Sequence, residues 1–457
     1  MSGSAQGVGA IEIDGERVAA DVRLTVNGAV PAPLAVKVAP DEVVRVLQAG
    51  EIQLTERVTT ALEHPIVFWS LVADAPVRLR FTFVSDLAVT PLPADDIPPN
   101  LDGRDGVLVL GREGDAFAAA VAPAAGSAQA TADGVLVTGD RLLRVVLAAG
   151  TDTHALDRVL ETLRRRKLRA FRQDRVLHAR RLEERLVAFE SPEPALDRRF
   201  RWAKVELDSR LEDRPGAGRR VAREPARTAR ALLAAGDREV VRDLLRAAVL
   251  RLEDAPADPS LLALVDAWLR WTGDLAPLAK LWPLVAASAE SQAARLAPEV
   301  RDRLAAAAHA AGEHAVAARV GAVAATGPVE PPPHIELTGY GTEPAGLVSG
   351  VVETLWGLEP DLIRGEVRVA PGLPHGWQEM ALRRVRVGPT SFDLRLRRRP
   401  ERTVLAVRRV TGPPIRLRTA LRDDRALGPV TVDQVELGGR EATFLVEDVH
   451  EVSFHDG

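Results

Sequence analysis

The spacing of hydrophobic positions changes twice along the chain. From about residue 10 to 150, VRLTVNGAV, EVVRVLQAG, IVFWSLVA, VRLRFTFVSDLAV and GVLVL alternate apolar and polar residues over short runs broken by Gly, Pro and Asp. That period of two predicts strands. No helix of crossover length separates them, so an antiparallel β-sandwich is expected over 1–150. After Gly150 the apolar positions recur every three or four residues: Leu156, Val159, Leu160, Leu163, Leu168 and Phe171, then Val176, Leu177, Leu182, Leu186 and Val187. With Asp152 or Thr153 as its cap, this spacing predicts one long amphipathic linker helix over 151–190.

From Pro194 to about Ala325 helix follows helix. Gly236 before Asp237, and Gly273 before Asp274, place a helix-ending glycine next to a helix-starting aspartate, the signature of tight αα-hairpins. TGPVEPPPH (326–334) stops the run, and a loop leads to a last helix from about Ala345 to Leu358. The helical-hairpin domain is therefore expected over 191–358. Beyond Pro360, GEVRVAP, MALRRVRVG, SFDLRLRRR, RTVLAVRRV, PIRLRTAL and VTVDQVEL return to period two, predicting a small C-terminal β-sandwich over 359–457. The expected fold class is multidomain α+β.

At 457 residues the chain exceeds one ordinary core, and 46% hydrophobic with 27% charged residues is the composition of folded globular material. A net charge of -4 points to neither nucleic acid nor an anionic membrane. The basic cluster Arg164 to Lys167 reads as a solvated helix face. The chain has no cysteine, which removes disulfides, thiolate metal sites and cysteine nucleophiles. MSGSAQGVGAIEIDG lacks a basic leader and an apolar run, so a soluble cytoplasmic protein is expected, with no membrane partner. No P-loop, dinucleotide fingerprint, serine nucleophile elbow or HExxH spacing occurs, so neither a cofactor nor a metal is expected.

Three segments carry a resemblance. PALDRRFRWAKVELDSRL (194–211), RWTGDLAPLAKLWPLV (270–285) and GLVSGVVETLWGLEPDLIRGEVRVAPGLPHGWQEMALRRVRVG (346–388) are similar to barrel helices and the final helix-to-sandwich passage of the six-hairpin (α/α toroid) glycosidase superfamily, of the glycogen-debranching, amylo-α-1,6-glucosidase type. The order of sandwich, linker, helical hairpins and sandwich agrees. In that family a Gly-Arg-Asp element opens the second barrel helix and holds the sugar. Ala222-Arg223-Glu224 takes its place, which implies Arg223 and Glu224 as substrate-binding residues, though a glutamate reaches one methylene further than an aspartate. The same pair also reads as ordinary helix-start chemistry ahead of Pro225. HIELTGYGTEPAG (334–346) resembles the family's Pro-Glu-Leu/Phe-x-Gly element, which implies Glu336 as the catalytic general base, with His334, Tyr340 and Glu343 beside it in the same loop.

Glycoside hydrolysis needs a second carboxyl group as acid. The stretch ESQAARLAPEVRDRLAAAAHAAGEHAVAARVGAVAA (290–324) holds no equivalent of the family's acid-bearing segment. Twelve helices of about 14 residues with connections of about 5 need roughly 230 residues, whereas Pro194 to Leu358 offers about 165, so an incomplete six-hairpin-like domain of seven or eight helices is expected. Sugar sites are usually lined with aromatic rings, yet aromatics make up only 4% here, and Trp268, Trp271 and Trp282 fall at core spacing among leucines. The expectation is a noncatalytic carbohydrate-binding or regulatory relative with a glycan ligand. An active α-glucosidase with an altered site and a structural assembly protein are the alternatives. Apolar faces left by missing hairpins would suit a homodimer.

Overall fold

In the computed structural model the chain forms two compact units, Met1–Arg181 and Leu182–Gly457. The structure describes residues 2–4, 7–13, 16–39, 42–85, 87–91, 107–111, 118–132, 134–150, 152–209, 211–214, 218–221, 225–251, 259–291, 297–322, 343–422 and 428–455. These hold ten α-helices and several antiparallel sheets, a mixed α+β fold. None of the described helices is long and apolar enough to cross a membrane.

Two antiparallel sheets enclose the core of the first unit. The six-stranded sheet runs from Ser2–Ser4 at one edge through Glu16–Val26 and Arg78–Val84 to Ser127–Thr131, and the eight-stranded sheet from Ala32–Val38 through Ile66–Ala73 and Leu142–Gly150 to Ala88–Pro91. In Arg78–Val84 the alternation is strict: Leu79, Phe81 and Phe83 are buried between the sheets and the residues between them are exposed. Ile66–Ala73 behaves differently because both its faces are covered. Val67, Trp69 and Leu71 enter the inter-sheet core, while Ile66 and Phe68 join a second core with Leu156, Val159, Leu160 and Leu163.

Those leucines belong to α1 (Thr153–Arg165), which is separate from α2 (Leu168–Arg185). The single linker helix expected over 151–190 is thus two helices. Arg166 leaves helical geometry at φ −117°, ψ 132°, and its guanidinium pairs with Asp174 at 2.6 Å. The apolar spacing continues across the break, so periodicity alone does not reveal it. Asp152 caps α1, its Oδ1 accepting from the Ala155 amide at 2.6 Å. Asp152→Ala should lower the stability of this unit by about 1 kcal/mol in urea unfolding, the usual worth of such a cap; an unchanged midpoint would show the cap to be idle.

The second unit carries α3 (Pro194–Ser209), α4 (Pro225–Ala235), α5 (Arg238–Arg251), α6 (Pro259–Thr272), α7 (Trp282–Ser291), α8 (Pro298–Ala310), α9 (His314–Gly321) and α10 (Pro344–Ser349), the last continued by a π-helix, Gly350–Leu355. A short hairpin, Leu211–Arg214 with Gly218–Val221, stands between α3 and α4, where the sequence reading has only a connection between two helices. Asp274 accepts from the Ala276 amide and opens a 3-10 turn, Ala276–Leu278, so the following helix begins only at Trp282.

Seven strands form one sheet, in which Ala188–Glu190 pairs with Glu379–Val387, and four strands form another, from Leu358–Asp361 to Ala442–Val446. VTVDQVEL folds back on itself: Asp433 and Gln434 both adopt positive φ (49° and 71°), the geometry of a tight hairpin turn, and Val432 pairs with Val435. One contiguous core runs through the helices and both sheets, with Trp268, Trp271, Trp282 and Trp356 fully buried in it.

Candidate functional site

Helix ends leave backbone carbonyls without intrahelical partners, and what satisfies them fixes how a helix is seated. At the end of α4, the Ala235 carbonyl accepts from the Val187 amide at 2.9 Å. Gly236, at φ 91°, lies beside the Arg386 side chain. At the end of α6, the Trp271 and Arg270 carbonyls accept from the amides of Gly388 (2.8 Å) and Leu362 (3.2 Å). At the end of the π-helix, the Leu355 carbonyl accepts from the Gly372 amide at 3.2 Å, and the Ala370 amide donates to Gly357 at 3.1 Å. All three helices therefore meet the sheet region of residues 358–388 through their C-terminal ends. Their N-terminal ends share the opposite side.

Ion pairs confirm that direction for α4 and α10. In the first turn of α4, Arg227 stands 3.4 Å from Glu343, which precedes α10. Further along, Arg230 Nε donates to both Glu353 oxygens, at 2.9 and 2.7 Å. The two helices thus run side by side in the same sense. Burial draws the Arg230 guanidinium down, and the Glu353 carboxylate more than offsets it, leaving the group above its ordinary pKa. Glu353 itself is buried, on the π segment. Such segments recur where a helix must aim one side chain out of regular register.

Glu343 is the one sequence-predicted site residue among the described residues. Its side chain accepts from the Ala345 amide at 3.2 Å and the Gly346 amide at 2.8 Å, so it caps α10 ahead of Pro344. Arg223, Glu224, His334, Glu336 and Tyr340 lie outside the described residues. The described chain resumes after them at Pro225 and Glu343, the starts of the two helices that Arg227 and Glu343 join. Arg230 and Glu353 did not emerge from sequence reasoning. The available signal was Glu353 itself, the one charged residue in GLVSGVVETLWGL.

Of the tryptophans on the described helices, Trp202 on α3 is partly exposed and the others are buried. Trp268, Trp271, Trp282 and Trp356 are at most 2% exposed, and Trp377 donates to Glu193. No group of three His, Asp or Glu residues that could hold a metal ion occurs among the described residues.

The sequence matches no family model and no curated protein. Among solved structures it is similar to a human-microbiome protein assigned as a kojibiose phosphorylase, with TM-score 0.60 and 6% identity over 96% of this chain and 90% of that one. A bacterial glucoamylase complexed with acarbose gives TM-score 0.42 and 10% identity, over 74% of this chain and 62% of its own. An α-L-rhamnosidase from Dictyoglumus thermophilum gives 0.40 and 8%, over 93% and 63%. The first likeness spans nearly all of both chains and shows a glycosidase-like fold; at 6% identity it shows the fold alone.

Proposed function

We propose that this chain is a noncatalytic, carbohydrate-binding relative of the debranching-type glycosidases, with a helical domain shortened from six hairpins. The reading assigns the glycan site to Arg223, Glu224, His334, Glu336 and Tyr340, which in sequence come ahead of Pro225 and Glu343, the starts of two helices joined by Arg227 and Glu343. In this reading Glu343 holds the start of α10 and orients Arg227, and so serves the site from behind.

One observation carries the proposal: both described carboxylates along the α4 and α10 contact are already engaged. Glu343 is held by two amides and Arg227, and Glu353 by Arg230. Neither is placed to donate a proton to a departing sugar oxygen. Glu336 alone could activate water or protonate a leaving group but could not do both, and losing one of two cooperating groups removes most of a rate. Binding needs less. A guanidinium fork and a carboxylate suffice to hold sugar hydroxyls.

The test pairs calorimetry with an assay for released glucose, using maltose, isomaltose and glycogen. Binding in the millimolar range, weakened roughly tenfold by Arg223→Ala, without glucose release, is the expected result. Turnover that disappears in Glu336→Gln would overthrow the noncatalytic reading, and binding unaffected by Arg223→Ala, Glu224→Ala and Glu336→Gln would remove the site.

A further inference from the structure

Arginines from three segments of the Leu182–Gly457 unit gather where α4 ends and α5 begins, and one of them lacks a counter-charge. Arg386, on Glu379–Val387, lays its aliphatic stem over Gly236, with Cδ and Cγ 3.4 and 3.6 Å from where a β-carbon would stand. The next residue, Asp237, is 2% exposed and pairs with Arg185, the last residue of α2, at 2.5 Å. Arg238 then opens α5 and donates to the Gly388 carbonyl, two residues beyond Arg386, at 3.1 Å. Arg384, two residues before Arg386, donates to the carbonyls of Glu183 at 2.6 Å and Leu186 at 3.2 Å, on either side of Arg185. The tripeptide Gly236-Asp237-Arg238 is thus the meeting point of all four.

The charges there do not cancel. Among the described residues Arg386 has no hydrogen-bond or ion-pair partner. Partial burial, then the Arg238 and Arg185 guanidinium groups, draw it below the ordinary arginine pKa; Asp237 opposes them, and Arg384 adds to the pull. Asp237 is already engaged by Arg185, Glu239 stands 3.6 Å from Arg238, and Glu183 turns its carboxylate to Arg201 at 3.1 Å. Four arginines therefore meet two carboxylates, and the start of α5 adds partial positive charge. Crowded guanidinium groups repel, and an anion that bridges them turns the repulsion into attraction. We propose that this cluster binds a tetrahedral dianion, inorganic phosphate or the phosphate group of a small monoester, held by Arg386 and Arg238 with Arg185 at its edge. The uncompensated charge sets the valence at two. Guanidinium forks that arrive from a strand and from two helix ends suit an anion with oxygens in several directions better than a planar carboxylate. The cluster sits at the last turn of α4, the other end of that helix from Arg227, and the inference does not rest on the glycan reading.

Calorimetric titration of the full chain with inorganic phosphate at about pH 8, where phosphate is doubly charged, tests this. Acetate serves as a monoanion, and sodium chloride at matched ionic strength as the control for screening. Phosphate is expected to bind roughly tenfold or more tightly than acetate and to raise the midpoint of thermal unfolding. Arg386→Gln should weaken phosphate binding about tenfold or more, and Arg238→Gln severalfold. Arg246→Gln, which removes the same charge further along α5, should leave it unchanged. If Arg386→Gln does not fold, Arg238→Gln carries the comparison, since the Arg238 side chain is 44% exposed. Glycerol 3-phosphate separates the two sources of the anion: tighter binding than inorganic phosphate assigns the site to a monoester, and weaker binding to free phosphate. Absence of phosphate binding, acetate bound as tightly as phosphate, or equal losses in Arg246→Gln and in the cluster variants would each overturn the inference and leave the arginines to water.

Discussion

Arg230→Met is expected to destabilise the Leu182–Gly457 unit by about 3 kcal/mol, and adding Glu353→Leu should restore most of that loss. The Glu353 carboxylate is 7% exposed and takes both of its close contacts from Arg230, at 2.7 and 2.9 Å. Removing the guanidinium strands a buried charge, which typically costs about 3–5 kcal/mol, whereas replacing both partners by apolar groups is often neutral. The lower end applies because the Arg230 side chain is 50% exposed and water already screens part of the attraction. A double-mutant cycle in urea isolates the coupling. A single variant within about 0.5 kcal/mol of the native protein would mean that the pair holds nothing together.

The second large effect is a rise in stability with pH. Lys204 on α3 is 4% exposed, and its Nζ donates to the Val187 carbonyl at 2.6 Å. Burial, and after it the Arg384 guanidinium, pushes its pKa from 10.5 down to about 8. Below about 8 the amine is charged in both folded and unfolded chains, and the folded protein bears the full penalty of an interior ammonium. Between about 8 and 10.5 the folded protein sheds the proton while the unfolded chain keeps it, so stability should rise with pH across that window by about 3 kcal/mol. Lys204→Met should lose this rise. Urea midpoints of both proteins at several pH values from 7 to 10.5 decide it, and parallel profiles would assign the rise to other groups.

Where an element buries one face, its period was legible in the sequence, as in Arg78–Val84. Where a second layer covers it, as α1 covers Ile66–Ala73, the pattern lost its polar half and only the presence of a strand could be read. The break at Arg166 was hidden because the apolar spacing continues through it. Glu353 stood out in its apolar helix, but its partner lies 123 residues earlier, and no local pattern connects them. Glu-Pro-Ala-Gly at 343–346 is legible as a helix start, with a carboxylate ahead of a proline at the first helical position. Arg223, Glu224 and Glu336 rest on resemblance, since spacing alone cannot distinguish a sugar contact from helix-start chemistry.

The pairing of Ala188–Glu190 with Glu379–Val387 bears on how the protein is made. Phe189 sits in register with Leu382, so one of the first segments of the second unit to leave the ribosome is completed by one 193 residues later. The carbonyls that end α4, α6 and the π-helix wait for the same late residues, apart from the Val187 contact of Ala235. Until the residues beyond Leu358 have been made, these helices have no seat and their tryptophans no cover. Such long-range closure slows folding and lengthens the exposure of apolar surface. Chains stalled or truncated near Leu358 should therefore depend on chaperones, whereas Met1–Arg181, whose core is complete within its own residues, is free to fold during synthesis.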